Sequence, residues 1–177
     1  MFASAIDNQF ADELAELHEG SVGLFVTLPI FRALVRSQRS ADLLTRFEAM
    51  LGEHLAGLDS ILGDTIVRRD RTDGALTRLL FRSICSLRSR HASEERDIDI
   101  IRVVEQAQLF LMGSCSFALR FARQARVSQC EQVLQESLVR IRSLALYLTT
   151  VDDRVALESE QTCNRAVSGL PRRACTS

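Results

Sequence analysis

Lysine is absent from this chain of 177 residues, so all 22 of its basic residues are arginines. Without a lysine amine, Schiff-base chemistry and other lysine-based catalysis are excluded. The arginines nearly balance 23 acidic residues, which leaves a formal net charge of −1. A charge so close to zero gives no global electrostatic reason to expect binding to nucleic acid or to a membrane surface.

The chain also lacks the cysteine spacings of zinc sites and disulfide frameworks. Its five cysteines, at positions 85, 115, 130, 163 and 175, are odd in number and include no CxxC pair, which predicts free thiols in a reducing compartment. The first residues have neither the positive start nor the apolar core of a secretory signal. The longest apolar stretch, residues 109–122, contains Arg120 and is too short to cross a bilayer. We therefore expect a soluble, cytoplasmic protein.

No segment shows the strict alternation of a half-buried strand, whereas apolar residues recur three and four positions apart through most of the chain. The clearest seam covers residues 8–36. One of its inward positions holds Ser21, between Gly20 and Gly23. We predict that the Ser21 hydroxyl bonds back to the carbonyl of Leu17, because a small polar side chain can be satisfied within its own helix. No base is identifiable beside Ser21, so a catalytic hydroxyl is not predicted.

Similar seams predict four further helices. They cover residues 41–62, 73–88, 97–126 and 128–151. Ser4 and Asp7 are the expected N-caps of the first helix, because short oxygen-bearing side chains satisfy the free amides of an opening turn. Ser128, three residues before Glu131 as in a capping box, is the expected N-cap of the last helix.

Four long helices, one short helix and no strand predict an all-α protein with an antiparallel four-helix bundle and one additional short helix. Residues 1–153 would form the bundle. Residues 154–177 lose the helical period and include Gly169 and Pro171, so we predict a flexible C-terminal tail.

Bundles often build metal sites from inward side chains. A carboxylate-bridged di-metal centre needs a Glu from each of two helices and a Glu-x-x-His pair from each of the other two. No Glu-x-x-His occurs in the chain. His54 lies on an apolar seam, and we interpret it as a core histidine with a hydrogen-bond partner rather than a metal ligand.

Other polar or sulfur-bearing side chains have structural explanations as well. Together with His54, three residues could form a soft site for copper(I) or haem, although filling of the core is the simpler explanation. These are Met50, Met112 and Cys115. The acidic residues Glu13, Glu16 and Glu19 lie off the apolar seam of the first helix, which predicts a solvated acidic face rather than paired catalytic carboxylates.

Several strings resemble the ferritin-like YciE/YciF family of bacterial stress-associated proteins, over about residues 9–151. The strings are Phe10-Ala-Asp-Glu-Leu-Ala-Glu-Leu-His18, Thr27-Leu-Pro29, Leu43 with Phe47-Glu48 and Glu53, Gln106 with Leu119, and Val133-Leu-Gln-Glu-Ser-Leu138. The resemblance implies a ferritin-like antiparallel bundle and association into dimers.

Most metal-ligand positions that the resemblance implies are changed. Ser21 stands where the family has a Glu, and the other changed positions hold Met50, Gly57, Leu109, Met112, Arg140 and Ile141. Glu53 and Glu136 are retained. The resemblance therefore implies the scaffold and puts its metal chemistry in doubt.

We expect a non-catalytic, degenerate ferritin-like bundle that acts as a structural or protein-interaction module, with a homodimer or another protein as its partner. No catalytic residue and no cofactor are predicted. The alternative is a residual oxidase-like protein that binds iron or manganese, for which Glu53, His54 and Glu136 would have to converge. A further alternative is a thiol-based stress sensor.

Overall fold

The structure, a computed structural model, describes residues 2–62 and 74–143, with side chains from residue 9 onward. These residues form five helices and no strand. The helices are α1 Phe2–Leu34, α2 Gln38–Leu62, α3 Ala75–Arg88, α4 Glu94–Ala125, and α5, which covers residues 128–143 up to the end of the described part. The prediction of an all-α protein with four long helices and one short helix is confirmed.

α1 and α2 are antiparallel neighbours joined by three residues. His18, in the first half of α1, lies with its Nε2 2.9 Å from Oδ1 of Asp59 near the end of α2. Arg32 at the other end of α1 donates from NH1 to Oε2 of Glu48, at 2.8 Å. A connection this short makes two long helices antiparallel neighbours.

α4 is also antiparallel to α1, because its first turn contacts the end of α1 while Leu111 lies near Gly20. α2 and α4 consequently run in the same direction. The connection between them, which contains α3, must therefore return along the bundle as a long crossover. One such crossover is the topology of ferritin-like folds.

α5 closes the bundle opposite α1. Cys115 of α4 donates to the Leu134 carbonyl of α5 at 3.3 Å. Gln108, earlier in α4, donates to the Ile141 carbonyl, later in α5. These two contacts show that α4 and α5 are antiparallel neighbours. α5 also lies close to α2, where the position of a Cβ on Gly57 would be 3.3 Å from Val133 Cγ1.

The seams predicted from the sequence form the core. On α1 the buried apolar side chains are Leu14, Leu17, Leu24, Leu28 and Phe31, with Ser21 buried among them. The other helices contribute similar rows, including Leu43, Leu44, Phe47, Leu51 and Leu58 on α2 and Leu134, Leu138 and Ile141 on α5. None of the helices in the described ranges is long and apolar enough to cross a membrane.

The predicted N-caps of two helices are wrong. α1 begins at Phe2, so Ser4 and Asp7 lie within the helix and do not cap it. α5 begins with the carbonyl of Val127, which accepts from the amide of Glu131 at 3.0 Å, so Ser128 is already helical.

The acidic member of the predicted capping box has another partner. The carboxylate of Glu131 accepts from Nε of Arg123, in the last turn of α4, at 2.9 Å. α4 itself starts earlier than predicted, at Glu94, after the N-cap Ser93, whose hydroxyl accepts from the amide of Arg96. Acidic residues in the first turn of α4 also suit the positive end of the helix dipole.

Some predictions fall outside the described residues. These are the domain boundary at residue 153, the flexible tail over 154–177, and the positions of Cys163 and Cys175.

Candidate functional site

The core of the bundle contains polar side chains from each of its long helices. Six described polar residues are buried. Thr27 and Asp97 bond to backbone groups of α1 and of the connection that follows it. The other four come one from each long helix, and we call them the core polar set: Ser21, His54, Gln108 and Ser137.

Ser21 and His54 are hydrogen-bonded partners inside the core. The Ser21 hydroxyl donates to the Leu17 carbonyl at 2.7 Å, as predicted, and its oxygen lies 3.1 Å from Nε2 of His54. A hydroxyl has one proton, and here that proton goes to Leu17. His54 must therefore carry its proton on Nε2 and donate it to Ser21, which confirms the interpretation of His54 as a core histidine with a partner.

The direction of this hydrogen bond distinguishes the pair from a nucleophile and its base. A general base would have to accept the serine proton on Nε2, and a third group would have to orient the ring. The expectation that no base lies beside Ser21 is corrected, since an imidazole does lie there, but it acts as the donor. His54 Nδ1 is buried and has no hydrogen-bond partner among the described residues.

His54 is uncharged near neutral pH. Its side chain has no exposed surface, and burial, with smaller contributions from His18 and Arg140, lowers its pKa to about 4. The charged imidazolium is disfavoured because the core offers it no anionic partner. The bundle interior around Ser21 and His54 is thus polar but uncharged.

The three candidate metal ligands do not converge in the core. His54 points inward, whereas the side chains of Glu53 and Glu136 are 70% and 52% exposed. Each carboxylate lies 3.9 Å from the guanidinium of Arg140, which stands between α2 and α5. A cationic side chain therefore occupies the space between the two retained carboxylates.

Other positions that the resemblance assigns to ligands also hold groups that do not suit a di-metal centre. Leu109 is 63% exposed on the outside of α4, and Ile141 is buried apolar core. Gly57 allows close approach of α5, since a Cβ there would be 3.9 Å from Ser137 Oγ. The described residues contain no group of three or more His, Cys, Asp or Glu side chains placed to hold a metal ion. These residues do not fit a carboxylate-bridged di-metal centre.

The soft-metal alternative lacks an available thiolate. Cys115 donates its thiol to the Leu134 carbonyl, and burial raises its pKa to about 12, so it stays protonated. Met50 and Met112 are partly buried and pack against the core, which agrees with a structural role.

The cysteines within the described ranges are free thiols of different accessibility. Cys85 is exposed, whereas Cys130 is buried and burial raises its pKa. A raised pKa lowers the thiolate fraction and with it the reactivity toward oxidants. Among these three thiols, only Cys85 is placed to react readily.

An open groove runs along the outer face of α5, and its described lining comes from this helix alone. The lining residues are Ser128, Glu131, Gln132, Gln135, Glu136, Val139 and Arg140. Within residues 9–62 and 74–143, the groove therefore brings together no catalytic groups from different helices.

The pairing of Ser21 with His54 was missed from the sequence, although a signal for it exists. In an antiparallel pair, residues at equal distances from the connection lie opposite each other. Ser21 lies 14 residues before the connection at residues 35–37 and His54 lies 17 residues after it, and both lie on predicted seams. Counting outward from the turn therefore places His54 within about one helical turn of the position opposite Ser21.

Two solved structures share this fold. YcfI from Rhodopseudomonas palustris, to which a structural role has been attributed, is 11% identical to the chain, and the Escherichia coli stress protein YciF is 14% identical. Each comparison covers 82% of this chain and 93% of the other, with a TM-score of 0.73. No family model matches the chain, and no curated protein sequence matches it. The ferritin-like bundle implied by the resemblance to the YciE/YciF family is confirmed as the fold.

Proposed function

We propose that this protein is a non-catalytic ferritin-like bundle that acts as a structural or protein-interaction module. The observation that carries the proposal is the hydrogen bond from His54 to Ser21 in the core, with the retained carboxylates of Glu53 and Glu136 outside the core beside Arg140. Around Ser21 and His54, where a metal centre would need ligands, packing and internal hydrogen bonds hold the bundle together.

The charges of the interior support this role. Iron and manganese centres in bundles depend on several inward carboxylates, which compensate the charge of the divalent ions. The core polar set supplies two hydroxyls, an amide and a neutral imidazole. A divalent ion placed among these groups would lose its hydration without gaining anionic ligands, which is unfavourable.

The roles given for the two solved structures that share this fold agree with the proposal. One has been assigned a structural role and the other is a stress protein. By analogy we propose a stress-associated structural role for this chain, and from its sequence we expect it in the cytoplasm. Its partner would be a second copy or another protein rather than nucleic acid or a membrane, in keeping with a net charge of −1.

Metal analysis tests the proposal directly. The full chain is purified without chelators, and its iron and manganese are measured by mass spectrometry beside the variants Glu53→Ala and Glu136→Ala. We expect far less than one ion per chain in all three proteins. We also expect no rise in melting temperature when Fe²⁺ or Mn²⁺ is added, because only an ion that binds the folded state stabilises it.

Glu48→Ala provides a matched control, since Glu48 is also an α2 carboxylate paired with an arginine. Stoichiometric iron or manganese in the wild type would contradict the proposal. If that metal were lost in Glu53→Ala or Glu136→Ala but kept in Glu48→Ala, the oxidase-like alternative would replace it.

A further inference from the structure

α3 and the connection that follows it carry charge of one sign only. Residues 74–93 contain four arginines and no acidic residue. Two of these arginines, Arg78 and Arg82, lie one turn apart on α3, and both are exposed. Neither forms an ion pair or a hydrogen bond with another described residue. The outer side of α3 therefore presents guanidinium groups that have no anionic partner in the described part of the chain.

An aromatic side chain lies between these two arginines. Phe81 is 67% exposed, the highest value among the large apolar side chains of the described residues. The opposite side of α3 is buried in the core through Leu76, Leu80 and Leu87. α3 is thus attached to the bundle by its inner side, and Phe81 takes no part in that attachment. We call the outward residues Arg78, Phe81, Arg82 and Cys85 the α3 strip.

The positive surface is short, because carboxylates lie beyond both of its ends. At the start of α3, Glu16 and Glu19 of α1 line a small cleft together with Gly74. Beyond the end of α3, the first turn of α4 contains three acidic residues. The 14 residues of α3 span about 21 Å. The α3 strip is therefore limited to roughly the length of this one helix.

We propose that the α3 strip binds a short acidic helix of another protein, with an apolar side chain of that helix against Phe81. Arg78 and Arg82 are one turn apart, and two carboxylates one turn apart on a partner helix have the same spacing. Hydrogen bonds from guanidinium groups to carboxylates orient the partner. Burial of Phe81 supplies affinity, since a few aromatic and arginine side chains commonly dominate the energy of a protein interface.

The same charge pattern disfavours nucleic acid and membrane surfaces. A nucleic acid duplex or an anionic lipid surface extends past both ends of α3, where its phosphates approach Glu16, Glu19 and the acidic first turn of α4. Contacts between like charges are repulsive. A short acidic helix avoids them, because it can end before these carboxylates or carry basic residues at its own ends.

This inference rests on the proposed function, because it names the kind of partner that the interaction module takes. The two remain separable in experiment. Metal content tests whether the bundle is non-catalytic, whereas peptide binding tests only the α3 strip.

Binding of a synthetic peptide to the full chain provides the first test. The probe is a fluorescently labelled helical peptide of the length of α3, with glutamates one turn apart, leucines beside them and alanines elsewhere. A control peptide has glutamines in place of the glutamates. We expect fluorescence anisotropy to show that the glutamate peptide binds roughly tenfold more tightly than the control. This binding should weaken as salt is added, because salt screens exposed ion pairs.

Substitutions in the α3 strip have matched controls on α4. Phe81→Ser and Arg82→Glu should each raise the dissociation constant of the glutamate peptide roughly tenfold. On α4, Phe117 is 56% exposed and Arg120 is exposed. Phe117→Ser and Arg120→Glu should bind the peptide like the wild type. Circular dichroism should show unchanged helicity in all four variants, since these side chains lie on the surface.

Cys85 reports contact at the α3 strip itself. It is an exposed free thiol one turn beyond Phe81. A bound helix should therefore slow alkylation of Cys85 by iodoacetamide, measured by mass spectrometry of the peptides from a digest. The glutamine control peptide should leave the rate of alkylation unchanged.

Four outcomes would overturn the inference. The first is no binding of the glutamate peptide, and the second is an equal loss of binding in the α4 variants. The third is alkylation of Cys85 that slows as the concentration of the protein alone is raised, which would identify a second copy as the occupant. The fourth is binding of duplex DNA or of phosphatidylserine vesicles that is tighter than peptide binding and is lost in Arg82→Glu, which would identify nucleic acid or a membrane instead.

Discussion

His54 shows how one side chain can be both polar and structural. Its imidazole is enclosed by the bundle, and its Nε2 proton satisfies the oxygen of Ser21. The neutral ring can be accommodated there, but the imidazolium would be a buried charge without an anionic partner. The stability of the fold should therefore depend on the protonation of His54.

Acidification is expected to destabilise the fold through His54. Its pKa is about 4 in the folded state and 6.5 for an ordinary histidine, so the unfolded chain binds more protons between these values. The contribution of neutral His54 to the free energy of unfolding is fully present above pH 6.5 and is lost as the pH falls toward 4. This loss is on the order of 3 kcal/mol at most. Urea unfolding of the wild type between pH 4 and pH 8 measures this loss.

His54→Gln provides the comparison for the acid titration. Its amide can still donate toward Ser21 but does not titrate, so the variant should keep only the part of the pH dependence that comes from other groups. Equal slopes of unfolding free energy against pH in the two proteins would contradict the assignment to His54.

Single residues were predictable from the sequence where their contacts are local. The bond from Ser21 to Leu17 stays within one turn of α1, so the helical period was sufficient to find it. The placement of Glu53 and Glu136 on either side of Arg140 depends on how α2 and α5 are rotated relative to each other. That rotation is set by packing across the bundle, and it cannot be predicted from one sequence.

Between elements, the start of α4 holds the end of α1. The buried carboxylate of Asp97 accepts from the amide of Arg36 at 2.9 and 3.0 Å and from the amide of Ser37 at 2.7 Å. Its neighbour Arg96 donates to the Leu34 carbonyl. These bonds satisfy backbone groups at the point where α1 has ended and can no longer satisfy them itself.

Asp97→Ala should destabilise the protein by about 3 kcal/mol, because it removes the buried charged acceptor of the amides of Arg36 and Ser37. Asp99→Ala is the control. Asp99, two residues further along, pairs on the surface with Arg90 and Arg102, and its loss should change the stability by about 1 kcal/mol or less. Chemical unfolding of both variants gives the two values. Similar losses in the two variants would contradict the role given to Asp97.

The helices were predicted better than their ends. Ser93 caps α4 through a bond within one turn, from the amide of Arg96, although the apolar seam predicted a start only at residue 97. Ser4, Asp7 and Ser128 carry the same type of side chain but lie inside helices. At α5 the competing bond from Arg123 to Glu131 comes from another helix, so local pattern alone could not exclude the capping box.

At the scale of the whole molecule, the repeated three-and-four spacing predicted a bundle, but not which helices are neighbours. The contacts place α1 between α2 and α4, and α5 also between them on the opposite side. This arrangement follows from the crossover that contains α3. The sequence gives its length but not its path, because the polar residues before α3 carry no periodic signal.

The closeness of α2 and α5 can be tested with two glycines in helix interiors. An alanine at a helical glycine usually stabilises by about 0.5–1 kcal/mol if its methyl group fits. At Gly113 of α4, nothing lies within 4 Å of an added Cβ, so Gly113→Ala should give that gain. At Gly57 of α2, the added Cβ would be 3.3 Å from Val133 Cγ1 of α5, so this neighbour must shift by a few tenths of an ångström.

Gly57→Ala should therefore be less stable than Gly113→Ala in urea unfolding, because the cost of shifting Val133 offsets its gain in helix propensity. Helix propensity is common to both variants, so their difference isolates the spacing between helices. Val133→Ala, which removes the opposing methyl groups, should restore the gain when combined with Gly57→Ala, relative to Val133→Ala alone. An equal gain at Gly57 and Gly113 would mean that α2 and α5 are not in close contact in solution.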